Sequence, residues 1–278
     1  FIQLMICPRN RANLHTVLNL SHFEQLDSYI PLDLNQMAHW PLALLVLSGF
    51  VLFRYFLLVG AFYLYFWWPQ KPWAATSLYS TAGRGPQIRA EIFWSSMTAF
   101  IFAAGGLLTG WLWQNGWTAI YLNFSDYPLW YWPLSLLLFS LAHEVYFYWT
   151  HRLMHHPRLY RVMHHTHHLS REPSPWASFC FHPYEALIES LVLPILVCVI
   201  PIHPTAFICY LTLMTVSAIN NHLGFELMPR FLLRRGWHRH LISGTNHAAH
   251  HRHYTCNFGL YYTFMDRLFG TYRPNTVE

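Results

Sequence analysis

The sequence predicts an all-α integral membrane bundle with a histidine-rich helical cap, and three observations lead there. Hydrophobic residues make up 54% of the 278 residues and charged residues only 10%, well below the roughly 25% charged of soluble domains. Apolar runs of membrane-crossing length follow Pro41, Phe93 and Pro128. Seventeen of the 20 histidines lie between His143 and His253, in the patterns HRLMH, HHTHH and HAAHH.

Composition also narrows the function classes. The net charge of +5 comes almost wholly from arginines set among apolar and aromatic segments, which is a membrane-topology signal and not a nucleic-acid-binding stripe. Five cysteines without a CxxC pair predict neither a disulfide framework nor a thiolate zinc site. No linker composition divides residues 1–278, so one membrane domain is expected. The chain starts without Met and carries no recognisable signal peptide.

In chain order, residues 1–40 read as a polar lead-in. Pro41 to Trp68 is the first transmembrane helix, ending in the aromatic run FYLYFWW that suits a membrane interface. Its one interior charge, Arg54, is expected to pair inside the protein or snorkel. A loop at 69–91 carries Lys71, Arg84 and Arg89 among Pro and Gly breakers. Phe93 to Trp113 is the second span, and its small residues AAGGLLTG predict a close helix approach. Residues 41–127 thus form a transmembrane hairpin.

The third span, 128–149, runs into the first histidine box and opens the region 128–278 expected to hold the chemistry. Ala186 to Ile219 is apolar but broken at PIHP, Pro201 to Pro204. It reads as a helical hairpin, either two tilted spans or a partly inserted pair, giving about four spans and returning His222 to the boxes. Arg152, Arg158, Arg161, Arg171, Arg230, Arg234, Arg235 and Arg239 share the box side. The positive-inside rule then makes the boxes cytoplasmic, in an endoplasmic reticulum or bacterial inner membrane.

Spacing supplies the chemistry. On a helix, i and i+4 share a face, so His151 and His155 can address one point. His164, His167, His168 and His247, His250, His251 repeat i, i+3, i+4, within an arc of about 100°. With His222, nine imidazoles converge, enough for two ions with four or five ligands each. His156, His165, His238, His240 and His253 are surplus and expected to hydrogen-bond, while His15, His22, His39 and His203 are expected to be structural. Imidazole suits iron, zinc and copper alike. HExxH and ExxH are both absent, which argues against a zinc hydrolase or a carboxylate-bundle di-iron site. A histidine-rich metal pair facing a membrane suits dioxygen activation beside a lipid.

From Glu144 to Tyr272 the chain resembles the sterol desaturase and fatty acid hydroxylase superfamily of membrane di-iron oxidases. The resemblance rests on EVYFYWTHRLMHH, HHTHH, SPWASFCFHPYEA, NNHLGFE and NFGLYYTFMDRLFGTY. It implies two iron ions held by His151, His155, His164, His167, His168, His222, His247, His250 and His251, with dioxygen as co-substrate. ASFCFHP is most similar to the sterol C5-desaturases, whereas HPYE and DRLFGT are also similar to the sterol C4-methyl oxidases. Desaturation or hydroxylation of a membrane lipid, most of all a sterol, is the implied reaction. A fatty-acyl or alkylglycerol hydroxylase is the alternative, and a non-catalytic membrane metal-binding protein the rival from another class. With neither HPGG nor GxGxxG present, electrons are expected from a separate carrier of cytochrome b5 or ferredoxin type.

Beyond these ligands, Glu144 is expected to orient a histidine by a hydrogen bond. His182 is a candidate tenth ligand or pocket residue, and Glu226 reads as a surface carboxylate. Asp266 and Arg267 read as an ion pair locking the C-terminal turn. Trp149, Trp176 and Tyr262 are candidates to line an apolar tunnel.

Overall fold

In a computed structural model of the chain, residues 31–67, 77–78, 84–227, 236 and 239–274 are described. The lead-in up to residue 30, with His15 and His22, and also Lys71, Arg230, Arg234, Arg235 and His238, lie outside the described residues. Among the described residues the only β-pairing is isolated bridges, such as Ser77 with Phe225, and the architecture is all-helical.

Helix α1 spans Trp40–Phe66 and α2 spans Gly85–Gln114. Pro41 and Pro86 stand in their first turns, where the missing N–H costs nothing and φ is already helical. Both are long and apolar enough to cross a membrane. Leu45, Phe53, Leu57 and Phe93 stand exposed on them, the outward apolar face a lipid-facing helix presents. Arg54 lies on α1 with its guanidinium over the Phe50 ring.

The small-residue stretch of α2 allows the expected close approach. A Cβ on Gly105 would stand 2.8 Å from the Ser190 carbonyl oxygen, so backbone meets backbone there.

Helix α3, Tyr131–Met154, continues straight into the first box and carries His143, Glu144 and His151. Two short helices follow, α4 at Pro157–Met163 and α5 at His165–His168. The first half of the expected hairpin is itself divided, into α6, Pro183–Ser190, and α7, Val192–Val199. At eight residues each, about 12 Å, neither crosses a bilayer core of about 30 Å. Helix α8, Pro204–His222, brings His222 back to the boxes. Last come α9, Gly244–His253, and α10, Phe264–Leu268.

Two of the five apolar clusters among the described residues join the helices around the boxes. Phe139, Val192, Val197, Ile202 and Tyr210 join α3, α7 and α8, and Tyr55, Val59, Phe179 and Ile219 join α1 and α8. The second includes a 3-10 turn, Pro175–Phe179, which is pinned to the long helices. Tyr55 Oη and Ser95 Oγ both donate to the Trp176 carbonyl, at 2.7 and 2.9 Å. Glu91 of α2 accepts from Ser174 Oγ, and Arg84 pairs with Glu172. The Trp176 ring packs among Tyr55, Phe56 and Tyr63, and Trp149 packs edge-on to Phe269. Both rings are thus held by aromatic packing.

Candidate metal centre

The three boxes and His222 meet beyond the C-terminal ends of α3 and α8. His151 sits in the last turn of α3, and His155 is its C-cap. His156 next door is instead the N-cap of α4, its Nδ1 accepting from Arg158 N, so the adjacent pair divides between site and scaffold. Helix α9 starts on a Ser243–Asn246 capping box and ends at Tyr254 in the left-handed region. That turn folds the chain back so that the Cys256 and Phe258 carbonyls face the histidines.

The nine rings form two groups, each of which could hold a metal ion. His151, His155, His164, His168 and His250 make one; His167, His222, His247 and His251 make the other; within each, the ligand atoms lie within 4.8 Å of one another. The second and third boxes do not each converge on one point, as their spacing suggested. Each sends its i and i+4 rings to one group and the i+3 ring to the other: His164 and His168 part from His167, and His247 and His251 part from His250.

Hydrogen bonds fix the rings. His151 Nδ1 donates to the Phe258 carbonyl at 2.9 Å, His250 Nδ1 to Cys256 at 2.8 Å, His167 Nδ1 to Cys180 at 3.2 Å and His222 Nδ1 to Ala218 at 2.8 Å. Since a carbonyl only accepts, each of these neutral rings carries its proton on Nδ1 and presents a bare Nε2 lone pair. His167 Nε2 and His222 Nε2 face each other at 3.2 Å, with no proton available between them. Such a contact is repulsive unless a cation sits between the lone pairs. Two ligands at right angles, each about 2.1 Å from an ion, stand about 3.0 Å apart. The neighbouring contacts, from His247 to His222 at 3.0 Å and from His151 to His164 at 3.1 Å, have the same spacing. The donor set therefore fits a pair of transition-metal ions that favour imidazole.

Burial prepares the rings for this role. Desolvation lowers every imidazole of both groups below the usual 6.5: His151 and His222 to about 4, His155 to about 2, and the other six well below. All are neutral at physiological pH, the form a ligand needs. A cavity of about 30 Å³ lies between the groups, bounded by His151 and His164 on one side and His167, His222 and His247 on the other. That volume matches a single water-sized molecule.

The other candidates fall elsewhere. Glu144 bonds to no histidine. Its buried carboxylate accepts from the backbone N–H groups of Leu260, Tyr261 and Tyr262, the Tyr261 bond at 2.7 Å, and so holds the loop that offers Phe258 O to His151. His182 joins neither group; its Nδ1 caps α6 by accepting from Tyr184 N. Asp266 does not pair with Arg267. It accepts from Phe258 N and Gly259 N, whereas Arg267 donates to the Arg239 carbonyl and lies over the Tyr272 ring. Glu226 accepts from Thr245 Oγ1 at the start of α9. Glu185 escaped the sequence reading. Fully buried, it holds His164 Nδ1 at 2.7 Å, and its second oxygen has no partner. Its place in HPYE, three residues after the α6 cap and facing inward on that helix, was the available signal.

Fold and site thus define a membrane-type helical protein with paired all-histidine clusters. A profile of the fatty acid hydroxylase family matches residues 136–271, which include every ring of both groups. A Delta(7)-sterol 5(6)-desaturase of Gibberella zeae is 30% identical over 165 residues, covering 59% of this chain and 49% of the relative. The lathosterol oxidase of Mus musculus is 31% identical over 168 residues, covering 59% and 54%. A Delta(7)-sterol 5(6)-desaturase of Aspergillus fumigatus is 30% identical over 210 residues, covering 67% and 63%. These matches support the sterol desaturase and fatty acid hydroxylase superfamily. The chain spans about half the length of the first two of these relatives, and no solved structure matches it.

Proposed function

We propose that the chain is an integral membrane oxidoreductase that uses dioxygen and externally supplied electrons to oxidise a C–H bond of a lipid, by desaturation of a sterol. The observation that carries this reading is the division of nine buried neutral imidazoles into neighbouring groups of five and four around one small cavity. Each group holds one iron in this reading. Bound iron supplies the power to activate dioxygen and take hydrogen from an unactivated C–H bond, which no side chain has.

The protein's own part is positional. Carbonyls of Phe258, Cys256, Cys180 and Ala218 aim four of the rings, and Glu185 aims His164. Phe147, Phe181 and Leu260 close the cavity against bulk water. Residues 41–127 anchor the chain as a hairpin, α3 returns the chain to the box side, and the broken α6–α8 segment enters the membrane as a partly inserted pair. Arg152, Arg158, Arg161, Arg171 and Arg239 near the boxes support a cytoplasmic cap, in an endoplasmic reticulum or bacterial inner membrane. Electrons come from a separate carrier of cytochrome b5 or ferredoxin type.

The printed names of the relatives, sterol 5(6)-desaturase and lathosterol oxidase, support sterol desaturation. The family's own description favours a second reading, hydroxylation of an acyl lipid. Lipidomics of cells expressing wild type or His250→Ala, fed sterol and acyl-lipid precursors under labelled dioxygen, separates the two. A wild-type-only sterol lighter by two hydrogens and free of label is expected. A labelled product heavier by one oxygen would establish the hydroxylase. No difference, in cells with metal-loaded protein and a working donor, would refute the oxidoreductase and leave a metal-binding protein without turnover.

A further inference from the structure

A second, larger hollow lies on the other side of the wall that closes the histidine cavity. It is an open groove of about 470 Å³ between α3 and α8, roofed by the loop after Phe258. The volume lies within the roughly 300–1,000 Å³ of small-molecule sites. Leu136, Leu137, Leu213 and Met214 make its walls apolar. At its floor lies a cluster of different chemistry. His143 Nδ1 stands 2.6 Å from Tyr210 Oη and 3.1 Å from Tyr261 Oη, and the two phenol oxygens are 3.3 Å apart. His143 and Tyr210 are almost wholly buried. Polar groups placed in an apolar helix pair are costly unless satisfied, and mark a site when they persist there.

We infer that this groove seats a lipid bearing a free hydroxyl, of sterol type, with the His143–Tyr210–Tyr261 triad binding the hydroxyl. The inference rests on the lipid-oxidising reading above and adds where the substrate is gripped. A phenol offers one donor and two acceptor sites, and a neutral imidazole one of each. In either tautomer of His143 the acceptor sites of the triad outnumber its donors. An incoming O–H satisfies that surplus, whereas an ether carries no donor. The walls fit the hydrocarbon body, and Ser140, bonded to Tyr262 Oη at 2.8 Å, adds a polar rim.

Placement gives the grip a purpose. His143 precedes His151 by eight residues of the same helix, about 12 Å along its axis. Asn220 and Tyr261 face the groove, while their neighbours Asn221 and Leu260 line the histidine cavity and are joined by a 3.0 Å hydrogen bond. A rigid lipid held by its hydroxyl on one side of this thin partition has its carbons set at fixed distances from the histidines. The triad would therefore set which part of the lipid lies nearest the histidines.

The test measures binding of a tritiated 3-hydroxysterol and of its 3-methyl ether to the metal-loaded full chain in nanodiscs. Tyr210→Phe, Tyr261→Phe and the groove-filling Leu213→Trp are compared with wild type, each checked for metal content and unfolding temperature. Wild type is expected to prefer the hydroxysterol about tenfold, the worth of one buried hydrogen bond. Either phenylalanine variant should bring the two ligands within about twofold, and Leu213→Trp should weaken both. Equal binding of sterol and ether by wild type overturns the proposal. So does a full preference retained in both phenylalanine variants, or sterol binding untouched by Leu213→Trp. If wild type oxidises the sterol while these variants bind it unchanged, the groove assignment alone falls. If metal-loaded wild type, supplied with dioxygen and a working electron donor, neither binds nor oxidises any supplied lipid, the oxidoreductase reading falls with it.

Discussion

Replacing Gly259 by alanine puts a methyl group where two buried carboxylates and a carbonyl converge. The new Cβ would stand 2.5 Å from Tyr262 O, 2.6 Å from Glu144 Oε1 and 3.0 Å from Asp266 Oδ2, against ordinary contacts of 3.4–4 Å. The neighbours have little room to yield. Glu144 is tied to the amides of Leu260, Tyr261 and Tyr262, and Asp266 to those of Phe258 and Gly259. Overpacking of this kind costs about 1–3 kcal/mol, and each buried amide that loses its acceptor adds about 1–3 kcal/mol. With one or two amides released, the expected loss of stability is about 2–9 kcal/mol. Movement of this loop carries away the Phe258 carbonyl that orients His151, a member of the five-ring group, whereas none of the four-ring group leans on it. The assay is bound metal per chain by mass spectrometry, beside thermal unfolding in detergent. Gly259→Ala should lose about half its metal, given the 10- to 100-fold affinity cost of a lost orienting bond. Full metal content with a wild-type unfolding temperature would refute the reasoning.

Further expectations follow from the same geometry. His155→Ala and His247→Ala should each reduce bound metal, by way of different groups, while His182→Ala leaves metal content unchanged because that ring only caps α6; loss of metal in the last would overturn its assignment. Glu185→Leu should weaken metal retention about 10- to 100-fold in a chelator titration, with Glu185→Gln intermediate because an acceptor for His164 Nδ1 remains; equal retention by all three proteins would remove Glu185 from the site. The pH dependence has a definite sign. His151 and His222 titrate at about 4 when folded and near 6.5 when unfolded, so the unfolded chain takes up protons first. Stability of the metal-free protein should hold above about pH 6.5 and fall as the pH drops toward 4; unfolding by circular dichroism that showed a gain over this window would contradict the burial of these rings.

The sequence made the scaffold legible wherever one physical signal dominated. Apolar length alone located α1, α2 and α3 to within a few residues at most ends, and the PIHP break marked the start of α8. What it hid was set by contacts distant in the chain. The i, i+3, i+4 spacing named rings that the structure gathers into two groups, yet only their packing against one another could divide His167 from His164 and His168. Carbonyls have no sequence signature, so the four that aim the rings were invisible. Glu144 and Asp266 were read as partners for side chains, because charge suggests charge, whereas both serve backbone amides of one tight loop. One local signal was available and unused. His156, His182 and His203 each precede a proline, and each is the N-cap of the helix that the proline opens; that dipeptide separates the capping histidines from those that gather in the groups.

The segment from Glu172 to Ser190 has a further consequence through its attachment to α2. Arg84, the N-cap of α2, and Glu91 within it grip its beginning, and Gly105 meets its end at Ser190. In between, Cys180 orients His167 of one group and Glu185 orients His164 of the other. The apolar run of α2 from Phe93 to Trp113 is about 32 Å long, close to a hydrocarbon core of about 30 Å, and such a helix follows a change of bilayer thickness by changing its tilt. Its tilt is therefore shared by the orienting atoms of both groups, so bilayer thickness becomes a common adjustment on the two sites together.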